Sequence, residues 1–395
     1  MRTLPHLFHA CTLALVAVLA AGCASVRPPP PPVPSELFAD AAFAPPAGNA
    51  DADQLFSLSP AMRAYLHSPR FNRAMRENGS ARGLVDALYT SGELKLEYDS
   101  TMTRSAAETF DARMGNCLSL VIMTAAFARE LGLTVQFQDV AIDQVWTRSG
   151  GMYFANTHVN VTIGRRLADA FRGDTSNRVL TIDFIPTPDA GRLDAHLIDE
   201  EAIVSMYMNN RAAELLAEGK TGDAYWWARN ALQRNPGHLN LYNTLGVIYQ
   251  RHGDLARAEQ VFKAGLVREP ENLNVLHNLV PVLQGQGKQA EAQELGARLA
   301  RIDPRPPFYY FMLGQKAMLA SRWEEARTYF AKEVRRSPYS HEFHFWLAMA
   351  QLQLGEISAA REELAQARET STTVANTQRY TDKLAHLRTL TAQRF

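Results

Sequence analysis

The alternation of apolar and polar positions changes character along the chain, and each change predicts a different element. FANTHVNVTI (154–163) alternates: Val159, Val161 and Ile163 take one face, while His158, Asn160 and Thr162 take the other. That period of two predicts a strand. LTVQFQDVAI (133–142) and RVLTIDFIP (178–186) read as further strands; in the latter Leu180, Ile182 and Phe184 share a face, and Thr181 and Asp183 point the opposite way. The segment before them is different. Leu118, Leu120, Val121, Ile122, Met123, Ala125, Ala126 and Phe127 leave no polar face, which predicts a helix buried at the centre of a domain. It opens at Cys117 after the N-cap residue Asn116 and closes at Gly132. Ser105 with Glu108 predicts a capping box on a shorter helix before it. Gly150-Gly151 reads as a hairpin turn. Residues 51–205 are therefore expected to form one α+β domain.

Beyond residue 205 only helical patterning continues, and it repeats. Pro236, Pro270, Pro304 and Pro338 stand 34 residues apart, as do Ala224, Ala258, Ala292, Ala326 and Ala360. Leu245-Gly246, Leu313-Gly314 and Leu347-Ala348 hold a second small position, and Phe262 and Phe330 a large one. The third unit departs, with Val280 for the Gly and Gly296 for the Phe. This register resembles the tetratricopeptide repeat (TPR), a helix-turn-helix unit. The resemblance implies an all-α solenoid over residues 206–372, about five units beginning near 205, 239, 273, 307 and 341. Residues 373–395 then form a capping helix and tail, because a solenoid end must hide its apolar face. It also implies protein or peptide partners. Trp226, Trp227, Tyr309, Tyr310, Trp323 and Trp346 are the aromatic candidates for contact, although such residues also serve packing.

The amino terminus reads as an address. Arg2 precedes the apolar run LALVAVLAAG, which ends at Cys23. Leu19-Ala20-Ala21-Gly22-Cys23 resembles the lipobox of bacterial lipoproteins. That implies a signal peptide over 1–22, cleavage before Cys23 and lipidation of Cys23. Ala24, not Asp, follows, which implies an envelope protein anchored in the outer membrane and facing the periplasm. Residues 23–50 are rich in Pro and Ala and are expected to be an extended linker with no core of its own.

Composition narrows the classes. A chain of 395 residues, 46% hydrophobic and 21% charged, is neither disordered nor a polytopic membrane protein. Its net charge of +0 gives no basic excess, so no nucleic-acid partner is expected. There are three cysteines: Cys11, Cys23 and Cys117. Removal of the signal peptide and lipidation of Cys23 would leave Cys117 as the one free thiol. It stands at a helix N-terminus, whose N–H groups and dipole favour a thiolate. A thiolate needs a base, and the base an acceptor to orient it. His158 and Asp183 lie on the polar rows of two strands and can meet if those strands pair. Asn160 shares the row with His158 and is a poorer-placed alternative to Asp183.

The order Cys117, His158, Asp183, carried by RMGNCLSL, THVNV and TIDF, resembles the transglutaminase-like branch of the papain-like fold, over roughly residues 90 to 230. The resemblance implies cysteine-dependent acyl transfer on amide bonds of a protein or peptide, as a peptidase or an acyltransferase. A second reading stays open: a non-catalytic TPR scaffold assembling envelope proteins, with Cys117 structural. No cofactor or metal is expected. HEFH (341–344) lacks the H-E-x-x-H spacing. Asp194 and His196 read as part of a polar connection, and Asn78-Gly79-Ser80 as a turn.

The lipobox gives a first prediction. Metabolic labelling with a fatty-acid analogue marks the wild type and not Cys23→Ser; equal labelling of both removes the anchor.

Overall fold

The structure is a computed structural model; it describes residues 31–90, 94, 96–149, 152–166, 179–184, 195–371 and 373–392. The lipobox with Cys23, the Gly150-Gly151 turn, Asp194 and the last three residues lie outside the described residues.

Three short helices open the α+β unit: α1 (Pro60–Leu66), α2 (Pro69–Asn78) and α3 (Ser80–Val85). Ser59 and Ser68 cap the first two, each with proline in the first turn. A two-residue strand β1 (Glu97–Tyr98) pairs in parallel with β2 (Met114–Gly115), and α4 (Ala106–Ala112) lies between them in sequence. The capping box of Ser105 and Glu108 opens α4. Then comes α5 (Cys117–Glu130), in which every residue from Leu118 to Ala128 is buried. Gly132 ends it at φ +71°, a conformation that favours glycine.

The strands form one antiparallel sheet. β3 (Leu133–Ser149) and β4 (Met152–Arg166) make a long hairpin, β5 (Leu180–Ile182) pairs with β4, and β6 (Ala195–Ile198) with β3. The order is β5-β4-β3-β6. β6 was not expected; the stretch around His196 is a strand at the sheet edge. Val159, Val161 and Ile163 join the side chains of α5 in one core, and Arg129 of α5 lies over the Phe137 ring.

The helical half is built from pairs. They are α6 (Glu200–Ala217) with α7 (Thr221–Arg234), α8 (Leu239–His252) with α9 (Leu255–Arg268), and α10 (Leu273–Gly285) with α11 (Gln289–Ile302). α12 (Tyr309–Leu319) with α13 (Trp323–Arg336) and α14 (His341–Gln353) with α15 (Ile357–Glu369) follow, then α16 (Val374–Ala392). The border drawn at 205 falls inside α6.

In the second and fourth pairs one small and one large residue interlock. A Cβ on Gly246 of α8 would meet the Phe262 ring of α9 at 2.4 Å, and one on Gly314 of α12 would meet Phe330 of α13 at 2.5 Å. The fifth unit uses Ala348 and Leu364, both fully buried. In the third unit Val280 takes the small position and Gly296 the large one; nothing lies within 4 Å of the Cβ that Gly296 lacks, so the interlock is missing there.

Two features differ from expectation. The Pro/Ala-rich segment is not a free linker from residue 31 onwards. Leu37, Ala39, Phe43, Ala50 and Ala52 are buried. Phe43 stacks on Tyr225 of α7 with ring centroids 4.0 Å apart. Ala39 N donates to Tyr225 Oη (2.9 Å), Tyr249 Oη donates to Leu37 O (2.8 Å), and Arg229 pairs with Asp40 at 3.0 Å. A few apolar residues, Leu37 and Phe43 the largest of those buried, and two short 3-10 turns dock a segment whose average composition is that of a tether. The second difference is a break in the solenoid. One core runs from Leu37 to Ala292, and a separate one begins at Phe308. The 34-residue step from Leu273 would start a helix at 307. Instead Pro306 and Pro307 intervene, Phe308 takes φ +64°, and α12 starts at Tyr309.

The interlocks predict opposite outcomes for two glycines. Gly246→Ala overpacks against Phe262 and destabilises by about 1–3 kcal/mol, partly relieved by adding Phe262→Leu. Gly296→Ala meets open space and is neutral or gains up to about 1 kcal/mol of helix propensity. Denaturant melts of the three variants check both.

Candidate active site

The site is set by how α5 begins. Asn116 Oδ1 accepts from Ser119 N (2.9 Å) and from Ser119 Oγ (2.8 Å), fixing the first turn. A Cβ on Gly115 would lie 2.7 Å from Ser119 Cβ, so only glycine lets the chain approach this closely. The amide of Asn116 donates to Thr103 Oγ1 (2.8 Å), which also accepts from Asn210 Nδ2 of α6 (3.2 Å). Thr103 N donates to Glu214 Oε1 of α6 at 2.7 Å. The first helix of the solenoid thus braces the cap of the helix that carries Cys117.

Cys117 is a free, half-buried thiol at the first residue of α5. The three residues expected in the site stand together. His158 is 1% exposed, and its Nε2 donates to Asp183 Oδ1 at 2.6 Å. Nδ1 is buried and makes no hydrogen bond of normal length. Burial pushes the imidazole pKa down, but the hydrogen bond to Asp183 and then the neighbouring Cys117 sulfur raise it further, to about 9 from 6.5. The arrangement therefore holds a protonated imidazole beside the Cys117 sulfur, with a carboxylate fixing the ring. Asn160 does not orient His158; its Oδ1 is buried and unpaired.

Two neighbours had no signal in the sequence. Tyr98, opposite Gly115 in the β1–β2 register, lies against Cys117; burial first, then charge on Cys117, raises its phenol pKa. A two-residue strand has no period to read. Asp139 stands opposite His196 across β3 and β6; burial raises its pKa, with His196 and His158 opposing.

The weaker candidates serve packing. His344 is buried, with Nδ1 2.6 Å from Glu363 and Nε2 2.8 Å from Pro338 O, and His341 Nδ1 lies 2.8 Å from Tyr380 Oη. No cluster able to hold a metal occurs among the described residues. Trp226 donates to Ala44 O, Trp227 packs on Tyr207, and Trp346 on Phe311 and Phe330. Tyr309 is exposed and, with Asn274, His277, Asn278, Met312 and Lys316, lines a cavity of about 420 Å³ between α10 and α12.

Comparisons with known proteins address the helical half. The tetratricopeptide repeat family matches residues 311–372. A TPR repeat-containing protein of Pseudomonas aeruginosa is 24% identical over 151 residues, covering 38% of this chain and 23% of that relative, so the match spans about a quarter of the relative's length. Among solved structures, a thermophilic TPR protein of Thermus thermophilus is similar at 19% identity and a TM-score of 0.30, covering 46% of this chain and 99% of that one. PilF of Pseudomonas aeruginosa is similar at 18% and 0.28, covering 48% and 90%. YrrB, described as a TPR protein with an unusual peptide-binding site, is similar at 17% and 0.25, covering 45% and 92%. Residues 311–372 thus match tetratricopeptide repeats, and the helix pairs before them keep the same 34-residue register.

The raised pKa of His158 predicts a pH dependence. Because the folded value lies above 6.5, the charged ring stabilises the fold fully below pH 6.5 and loses that contribution as pH rises through about 9. Asp183→Asn therefore destabilises at pH 6 and has little effect above pH 9. Denaturant melts at the two pH values, with an NMR titration of the ring, check it.

Proposed function

We propose that this chain is an envelope lipoprotein whose α+β unit is a transglutaminase-like domain performing cysteine-dependent acyl transfer on amide bonds of a protein or peptide, with the repeats recruiting that substrate. One observation carries the reading. His158 is buried and clamped by Asp183 at 2.6 Å through Nε2, its Nδ1 has no hydrogen-bond partner, and Cys117 is close enough to the ring to raise its pKa. A buried imidazole with an orienting carboxylate and one unengaged nitrogen next to a thiol is the arrangement a nucleophile and its base require.

The chemistry follows from these groups. The Cys117 thiolate attacks the amide carbonyl carbon and a C–S bond forms. His158 gives its proton to the leaving nitrogen as the C–N bond breaks. The thioester is then attacked at its carbonyl by water or by an amine, and His158 takes the proton of that nucleophile. Water gives hydrolysis and an amine gives transamidation. The repeats support recruitment: the amide-bearing, partly apolar cavity between α10 and α12 suits an extended peptide. The same repeats support a second reading, a binding scaffold in which the α+β unit holds partners without turning them over.

The test uses a thiol-reactive amide probe. Wild type is labelled and Cys117→Ala is not. His158→Ala keeps the thiol but loses rate by about a hundredfold at neutral pH, the usual contribution of a general base. Equal labelling rates of wild type and His158→Ala would leave the scaffold reading.

A further inference from the structure

The break between the third and fourth repeats has a second opening, lined by other residues than the cavity between α10 and α12. It is a concavity of about 490 Å³ lined by Arg305 from the irregular loop, Tyr310 at the start of α12, and Lys332, Arg335 and Arg336 at the end of α13, with Asp303 as its one acid. In a chain of zero net charge this is a local excess of three positive charges.

Some cations of the repeats pair with carboxylates, Arg234 with Glu201, Arg257 with Asp254, Lys263 and Lys288 with Glu259, while Arg268 and Arg298 reach the backbone carbonyls of Pro31 and Pro270. Among the described residues, Arg305, Lys332 and Arg335 have no carboxylate within ion-pair distance. Asp303 is turned to His277, 3.5 Å away. Arg336 is held by Pro306 O at 2.9 Å and lies 3.9 Å from Glu333, which is buried and accepts from Phe311 N. Lys332 Nζ sits 5.3 Å from the Tyr310 ring centroid. Arg305, with Lys332 and Arg336 behind it, draws the Tyr310 phenol pKa below its ordinary value. The hydrogen bond from Arg305 is the main cause, and the charges of Lys332 and Arg336 act in the same direction.

We infer that this cavity is a binding site for a phosphate group carried on a small molecule or a lipid, gripped by Arg305, Lys332 and Arg335 and oriented by the Tyr310 hydroxyl. Guanidinium forks and an ammonium match phosphate oxygens. Four cations converging on one concavity suit a compact, multiply charged anion. The inference stands apart from the cysteine site and survives if that reading fails.

Isothermal titration of the full chain with inorganic pyrophosphate tests it. The expected result is one site, weakened at least about tenfold in Arg305→Gln/Lys332→Gln/Arg335→Gln, since each lost charge-assisted bond is among the stronger polar contacts. Lys263→Gln/Lys288→Gln, which removes paired cations from α9 and from the loop before α11, leaves binding unchanged. Tyr310→Phe weakens it severalfold and folds like wild type. Sedimentation with phosphatidylcholine vesicles containing phosphatidic acid separates the sources: co-sedimentation competed by pyrophosphate assigns the phosphate to a lipid, and its absence, with titration heat retained, assigns it to a soluble ester. No heat with wild type, equal binding by the triple variant, or polyglutamate binding that pyrophosphate cannot compete each overturns it.

Discussion

A single continuous core joins the docked amino-terminal segment, the α+β unit and the first three repeats, from Leu37 to Ala292. Its centre is α5, a helix with no polar face. Such a helix must be covered on every side, and the sheet, the short helices and α6 do so. Only the ends of α5 are free to be polar, and the amino-terminal end is where Cys117 sits. Burying the helix therefore decides where the thiol can be.

This continuity changes what the repeats mean. α6 is both the first helix of the solenoid and a wall of the α+β unit. Asn210 and Glu214 reach from it to Thr103, and Thr103 to Asn116, the cap of α5. A shift of the first repeat moves the turn that presents Cys117. Beyond the break at Phe308 the coupling weakens, because the fourth and fifth repeats keep cores of their own. The molecule is one body with a jointed extension, and both openings near the break owe their existence to Pro306, Pro307 and the left-handed Phe308.

Much of this was legible residue by residue. The repeat register could be read because close helix packing demands a small side chain at a fixed step, and Ala258 and Ala326 mark it. Cys117, His158 and Asp183 could be picked out because a helix start and two alternating strands dictate where side chains point. What could not be read depends on contacts far apart in sequence. The strand around His196 is four residues long and pairs with the edge of β3. Tyr98 matters only through its register with Gly115. The docking of Leu37 and Phe43 is invisible in a segment dominated by Pro and Ala, because its receptor lies in α7 and α8.

That docked segment has a consequence for how the chain is made. Ala39 and its partner Tyr225 are 186 residues apart, and Leu37 and Tyr249 are 212 apart. At about 5–20 residues per second of synthesis, Leu37 and Phe43 emerge roughly 10–40 seconds before their receptor exists. The contacts of Leu37 and Ala39 cannot form before α7 and α8 exist, and forming them closes a long loop. During that interval the segment presents its two large apolar side chains to whatever escorts the nascent chain, and its prolines keep those side chains from being drawn early into a helix or a sheet.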